Sequence, residues 1–354
     1  MTDTEIPNTP GYLISKWRKQ GPVSIEEVTK WKDDMQIDSW LMICEAGLFL
    51  DAPELISLIE AKLTPAELAT FGLVRRRMLG DNRLEQAIDA AIEVAKNPET
   101  RDLRLEGRLR MERGLSRFES GDTDGAQDDL TWAELRLKSV AKASRDHDLS
   151  LLNKAAFHLA TGAPLMALHV YSEITRDGEH ANETIAISRI GASRIRAELG
   201  HFFDAARHAW NAHLHAIKAM QIQMAIEAGT LFIELSLGSL DDTAERMQVQ
   251  VANAKPRNVD DEKPELKVNP KDVNGVFDWC FNNLPENWSG EHRPDLRAMI
   301  SIARNLNKLS MFNDLFNSPE KVEDPTLVAM IQVCSEDEEH VNKWGERLSL
   351  LTMI

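Results

Sequence analysis

The sequence has very little from which to build a β-sheet. Only two tyrosines occur in 354 residues, and alternation of β-branched with polar residues is scarce. Cysteine is sparse as well. Cys44, Cys280 and Cys334 are far apart, odd in number and flanked by apolar residues, which points to buried free thiols in a reducing compartment. Surplus positive charge is missing: the formal net charge is −16. That argues against general binding to nucleic acid or to anionic membranes, because both need clustered Lys and Arg. The longest apolar run, around Trp40 to Leu50, is broken by Glu45 and is too short to span a bilayer. The acidic start, Met1 to Pro7, has no positive-then-apolar leader, so the expected location is the cytoplasm.

Catalytic signatures are also lacking. His-Glu-x-x-His, Gly-x-Ser-x-Gly and Gly-x4-Gly-Lys do not occur, so no enzyme and no cofactor are expected. The histidines do not gather at ligand spacing. His201, His208 and His215 are seven apart, which advances a helix by about 10 Å per step, too far to share one zinc. His158, His169 and His180 are eleven apart and fail for the same reason, so no metal is expected. Asp122-Thr-Asp-Gly125 has the start of a calcium loop, but its glycine comes two places early and it reads as a turn.

What the chain does have is hydrophobic content of 43%, ordinary for a folded protein, and a recurring stretch. A glycine closes a helix, a short polar turn follows, and an alanine-rich helix begins. The clear copies turn at Gly121 (with Ala126, Leu130, Ala133), Gly162 (Ala167, Tyr171) and Gly200 (Ala205, Ala209, Ala212), 41 and 38 residues apart. Looser copies open at Gly80 and at Gly238. A period near 40 is the mark of a helical array in which each unit buries its apolar face on the next.

The Gly114/Gly121/Ala126 spacing, repeated as Ala155/Gly162/Ala167 with Tyr171 as the aromatic, resembles the tetratricopeptide repeat over about residues 65–254. The period is longer than that family's 34 residues, and the usual first-helix Trp and Tyr are absent, so other arrays with periods near 40 stay open. The resemblance implies an all-α, right-handed array of helical hairpins, a tetratricopeptide-like solenoid, with further helices at both ends. The expected organisation is a tail over 1–10, N-terminal helices over 11–63, and the array over 64–254. A charged, proline-containing linker over 255–275 and a helical region over 276–354 complete it. Ser24 with Glu27, and Thr64-Pro65 with Glu67, read as helix starts.

First helices line the inner groove in arrays of that type, and several carry basic or polar residues. Arg110, Arg113 and Arg117 fall on a flank roughly 90° from the apolar stripe of their helix. Lys154 with His158, and Arg189 with Ser193 and Arg196, repeat such spacing on later first helices. A basic groove of this kind suits a protein or acidic peptide, with arginine forks gripping carboxylates; the plainer alternative is a solvated face. The expectation is therefore a non-catalytic interaction scaffold, with a regulatory or sensor subunit of a signalling or transcription complex, or an all-helical enzyme, as alternatives.

Overall fold

Glycine in the left-handed region fixes the hairpin turns. In the computed structural model, which describes residues 7–21, 23–80, 84–175, 177–240, 270–285, 288–335 and 338–352, Gly121 has φ of 91°. Gly80, Gly162 and Gly200 share that sign, a conformation that a side chain disfavours and that ends a helix. Among the described residues every regular element is helical, as the scarcity of strand pattern implied.

The chain divides into two compact units. The first comprises residues up to Val170 together with Asp177–His180. It contains α1 (Pro10–Gln20), α2 (Ile25–Asp34), α3 (Trp40–Phe49), α4 (Pro53–Ile59), α5 (Pro65–Met78), α6 (Leu84–Lys96), α7 (Leu103–Glu119), α8 (Thr123–Val140) and α9 (Arg145–Ala160). Thr64 opens α5 with a full capping box: its hydroxyl accepts from the Glu67 N–H, and the Glu67 carboxylate accepts from the Thr64 N–H. Ser24 caps α2 through the Glu27 N–H at 3.3 Å. From α5 to α8 each helix packs on the one that follows it, and α7 also touches α5 and α9. Leu13, Ile14, Trp31, Ile43, Phe71, Ile88 and Leu109 belong to the main core of this unit, and Met111, Leu130 and Phe157 to a second cluster.

The α7/α8 hairpin closes tightly at Gly114. A Cβ added there would stand 3.0 Å from the Leu130 side chain and 3.2 Å from the Ala126 carbonyl, so only a hydrogen fits without movement. This is the close crossing that a small residue on the first helix implies.

The second unit comprises Tyr171–Arg176 and residues from Ala181 onward. It holds α11 (Asn182–Glu198), α12 (Phe202–Lys218), α13 (Ile222–Leu240), α14 (Pro270–Asn282), α15 (Pro294–Asn305), α16 (Asn313–Phe316), α17 (Pro325–Cys334) and α18 (Glu338–Thr352). The helix α10 (Pro164–Glu173) runs through the division. Here α12 packs on both α11 and α13, α13 also touches α11, and α14 and α15 pack on α13. The core gathers Ile226, Ile233, Phe277, Met299, Phe312 and Trp344, whose Nε1 donates to the Phe316 carbonyl at 3.1 Å. The tryptophans serve as anchors: Trp31 and Trp344 are buried, and Trp17, Trp40, Trp279 and Trp288 pack partly buried on the two main cores.

Three expectations need correction. Gly238 opens no hairpin; α13 continues through it to Leu240, and the rest of that copy lies outside the described residues. Of the expected linker, residues 255–269 lie outside the described residues, but residues 270–275 form the first turns of α14, where Val273 is fully buried. Proline there stands at the first helical position, which favours a helix start as readily as a linker. Of the expected tail, residues 1–6 lie outside the described residues, and Thr9 caps α1 by accepting from the Tyr12 N–H. The cysteines are free and buried, as expected, and burial pushes the thiols of Cys44 and Cys280 up to about 12. Among the described residues no helix is long and apolar enough to cross a membrane.

Candidate functional site: a cleft of the first unit and its arginine network

Three odd-numbered helices of the first unit, α5, α7 and α9, join α3 in lining a cleft of about 670 Å³. Three of its arginines are already paired with carboxylates. Arg108 forks onto Glu45, with Nη2 donating to Oε1 at 2.6 Å and Nη1 to Oε2 at 3.3 Å. Arg104 donates from Nε to Asp146 at 2.7 Å, and Arg77 to Glu112 at 2.5 Å. Burial works against the Arg108 charge, but Glu45 outweighs it, so this guanidinium is held above the ordinary arginine range. Around these pairs stand apolar groups left open to water: Phe49 is 70% exposed, Met78 48% and Leu149 39%. A concave surface with exposed apolar side chains and oriented guanidinium groups has the makings of a protein-binding surface.

The three arginines singled out on α7 lie elsewhere. Arg110, Arg113 and Arg117 converge on one buried carboxylate of α8, Asp129. Arg113 grips both its oxygens at 2.7 Å, Arg117 donates from Nη1 at 2.9 Å, and Arg110 lies at 3.7 Å. Arg110 also bonds Glu106 and covers the Trp132 ring, and Arg113 reaches Asp89 at 2.8 Å. Hydrogen bonds to Asp129, with Asp89 adding to them, hold Arg113 well above the ordinary arginine value. These side chains tie the hairpin together from within.

The other sequence-selected residues are scattered over two units. In the first, Lys154 pairs with the buried Glu134 at 3.2 Å, and His158 is buried with its Nε2 unpartnered. Burial, followed by the nearby Lys154 charge, lowers the His158 pKa. In the second unit Arg189 donates to the Ile174 carbonyl at 3.1 Å, and Ser193, fully buried, donates to the Ala205 carbonyl at 2.8 Å. Arg196 keeps a buried Nε with no partner.

One grouping of metal-ligand types was not visible in the spacing. His147, Asp148 and His180 offer ligand atoms within 4.8 Å of one another. The arrangement is better described by its hydrogen bonds. His180 Nδ1 lies 2.6 Å from Asp148 Oδ1, and His147 Nδ1 accepts from the Ala143 N–H at 3.1 Å. That acceptance puts the proton of neutral His147 on Nε2, leaving no lone pair there for a cation. Burial, then the neighbouring His180, lowers the His147 pKa.

Sequence reasoning missed Arg104, Arg108 and Glu112. They recur every four residues on α7, which was a legible signal, but the denser arginines at 110, 113 and 117 lay on a different flank and drew the choice. No protein-family model matches this chain, and no curated protein matches it either.

Proposed function

We propose that the chain is a non-catalytic protein–protein interaction scaffold. Its consecutive hairpins make a right-handed, tetratricopeptide-like array, and the cleft of the first unit receives a peptide or helix from a partner protein. The observation that carries this reading is the combination in one concave surface of Phe49, Met78 and Leu149, all open to solvent, with Arg77, Arg104 and Arg108 held in place by carboxylates. Apolar anchors supply the affinity of such contacts, and pre-positioned charges set register and partner choice. Arg77, whose side chain is 54% exposed, retains donors for an acidic group of the partner.

The test is selection from a peptide library rich in Asp, Glu and apolar residues, with the full chain as bait. Peptides selected on the wild type should bind Phe49→Asp and Met78→Asp at least about tenfold more weakly, a loss of about 1.4 kcal/mol, with unchanged far-UV circular dichroism. Equal binding to both variants, or no selected peptide, would overturn the assignment.

A further inference from the structure

Two hairpins of this chain share one register and differ in the charges at its centre. Counted from the turn glycines Gly121 and Gly200, Arg110 and Arg189 stand eleven residues before, and Arg117 and Arg196 four before. Asp129 and His208 both stand eight after. Contacts bear out the register. Gly114 lies hard against the Ala126 carbonyl, and its counterpart Ser193 donates to the carbonyl of Ala205, the counterpart of Ala126.

In the α7/α8 hairpin the arginines have Asp129 between them. In the α11/α12 hairpin the outer two arginines are retained, Ala192 stands where Arg113 does, and the carboxylate is gone. Arg189 has one hydrogen bond, to a neutral carbonyl, and Arg196 makes none with any described residue although its Nε is buried. The third basic group, Arg207, is already answered by Asp204 at 3.1 Å. A guanidinium open to water needs no partner, but a buried N–H without one costs the full desolvation of that donor. Arginine forks fit planar or tetrahedral oxyanions two donors at a time.

We propose that the α11/α12 hairpin is an oxyanion site, in which a phosphate or carboxylate group from a ligand enters between Arg189 and Arg196 beside His208 and stands where the first hairpin keeps Asp129. His208 suits this place in its neutral form, since it can donate one hydrogen bond to the oxyanion. Burial, then the positive charges of Arg189, Arg207 and Arg196, push its pKa down to about 4, which keeps it neutral there. The inference uses none of the cleft residues of the first unit and stands whether or not that cleft binds a peptide.

The experiment compares thermal unfolding of the full chain in chloride, inorganic phosphate and succinate at equal ionic strength and pH. Wild type should gain about 3 °C or more at an oxyanion concentration one hundred times its dissociation constant. A response to phosphate alone assigns a phosphate ligand, and a response to succinate alone or to both assigns a carboxylate-accepting site. His208→Asp supplies the missing carboxylate from within, so it should unfold at a higher temperature in chloride and lose the oxyanion response. Arg196→Gln should lose the response as well. Because a variant can fail to fold, the Nε–H resonance of Arg196 is followed in the wild type during titration with each oxyanion; it should shift in a saturable way. No rise in unfolding temperature and no shift with either oxyanion, or an undiminished response in His208→Asp, would overturn the proposal.

Discussion

The α7/α8 and α11/α12 hairpins are the same device with two different centres. The first fills its seam with Leu130 and Leu137 and satisfies its arginines with Asp129. The second places Ala209 and Ala216 at the corresponding seam positions and His208 at the polar one. Both ends of the comparison keep a small residue at the crossing and a left-handed glycine at the turn. The backbone arrangement therefore depends on small residues and a turn, and the polar centre can change without altering it. Where the centre is self-contained, the arginines hold the structure together. Where it lacks a carboxylate, two of the three arginine positions persist, and Arg196 is left with a buried donor to offer.

Removing the carboxylate that distinguishes the hairpins should have the largest effect. Asp129 is 3% exposed and serves three guanidinium groups, so Asp129→Asn takes away the one buried charge they share and leaves Arg113 and Arg117 with only half-exposed carboxylates, Asp89 and Asp122. A loss of about 3 kcal/mol is expected, because breaking a buried ion pair from one side strands the charge of the other. His208→Asn removes no ion pair and should change stability by less than about 1 kcal/mol. Equilibrium unfolding in urea measures both. Equal losses would mean that the two centres do the same work and that the contrast drawn between them is empty.

The hairpins themselves were legible in the sequence because their causes are local. A turn glycine, a capping box at Thr64 and alanines at helical spacing each act within a few residues, and each is where the spacing placed it. The direction of an arginine was not legible. Helical geometry correctly put Arg110, Arg113 and Arg117 on one flank, but whether that flank meets water or a second helix depends on Asp129, which belongs to the next helix. The cleft was hidden for the same reason, since its floor pairs Arg108 with Glu45 from 63 positions earlier. The juxtaposition of His147 with His180 likewise requires the chain to return, which spacing along one helix cannot express.

A second way to sharpen the contrast is pH. His208 has a folded pKa of about 4, below the usual value near 6.5. Between those values the unfolded chain binds a proton that the folded chain does not, so stability rises with pH across the window. The contribution is complete above about pH 6.5 and is lost as pH falls toward 4. The groups facing His208 are Arg189 and Arg196 from α11, with Arg207 and Asp204 on its own helix. Because His147, His158 and His213 are lowered too, the measurement is the difference between wild type and His208→Asn. That difference should shift by up to about 3 kcal/mol across the window, favouring the asparagine at low pH, and a flat difference would place His208 outside the influence of the arginines.

The smallest expected effects lie at the helix crossings. In the first hairpin, Gly114→Ala places a Cβ 3.0 Å from Leu130 Cγ, 3.2 Å from the Ala126 carbonyl and 3.3 Å from Asp129 Cβ. Leu130 can turn aside, but the carbonyl belongs to a helix and cannot, so about 1–2 kcal/mol should be lost. In the second hairpin the matching position already carries a side chain. Ser193→Ala keeps the Cβ and removes only the hydroxyl that donates to the Ala205 carbonyl. That carbonyl retains its helical partner, so the loss should be nearer 0.5–1 kcal/mol. If Gly114→Ala were the milder of the two, the first crossing would have room to spare, and the closeness of α7 to α8 would not be what holds Asp129 within reach of its arginines.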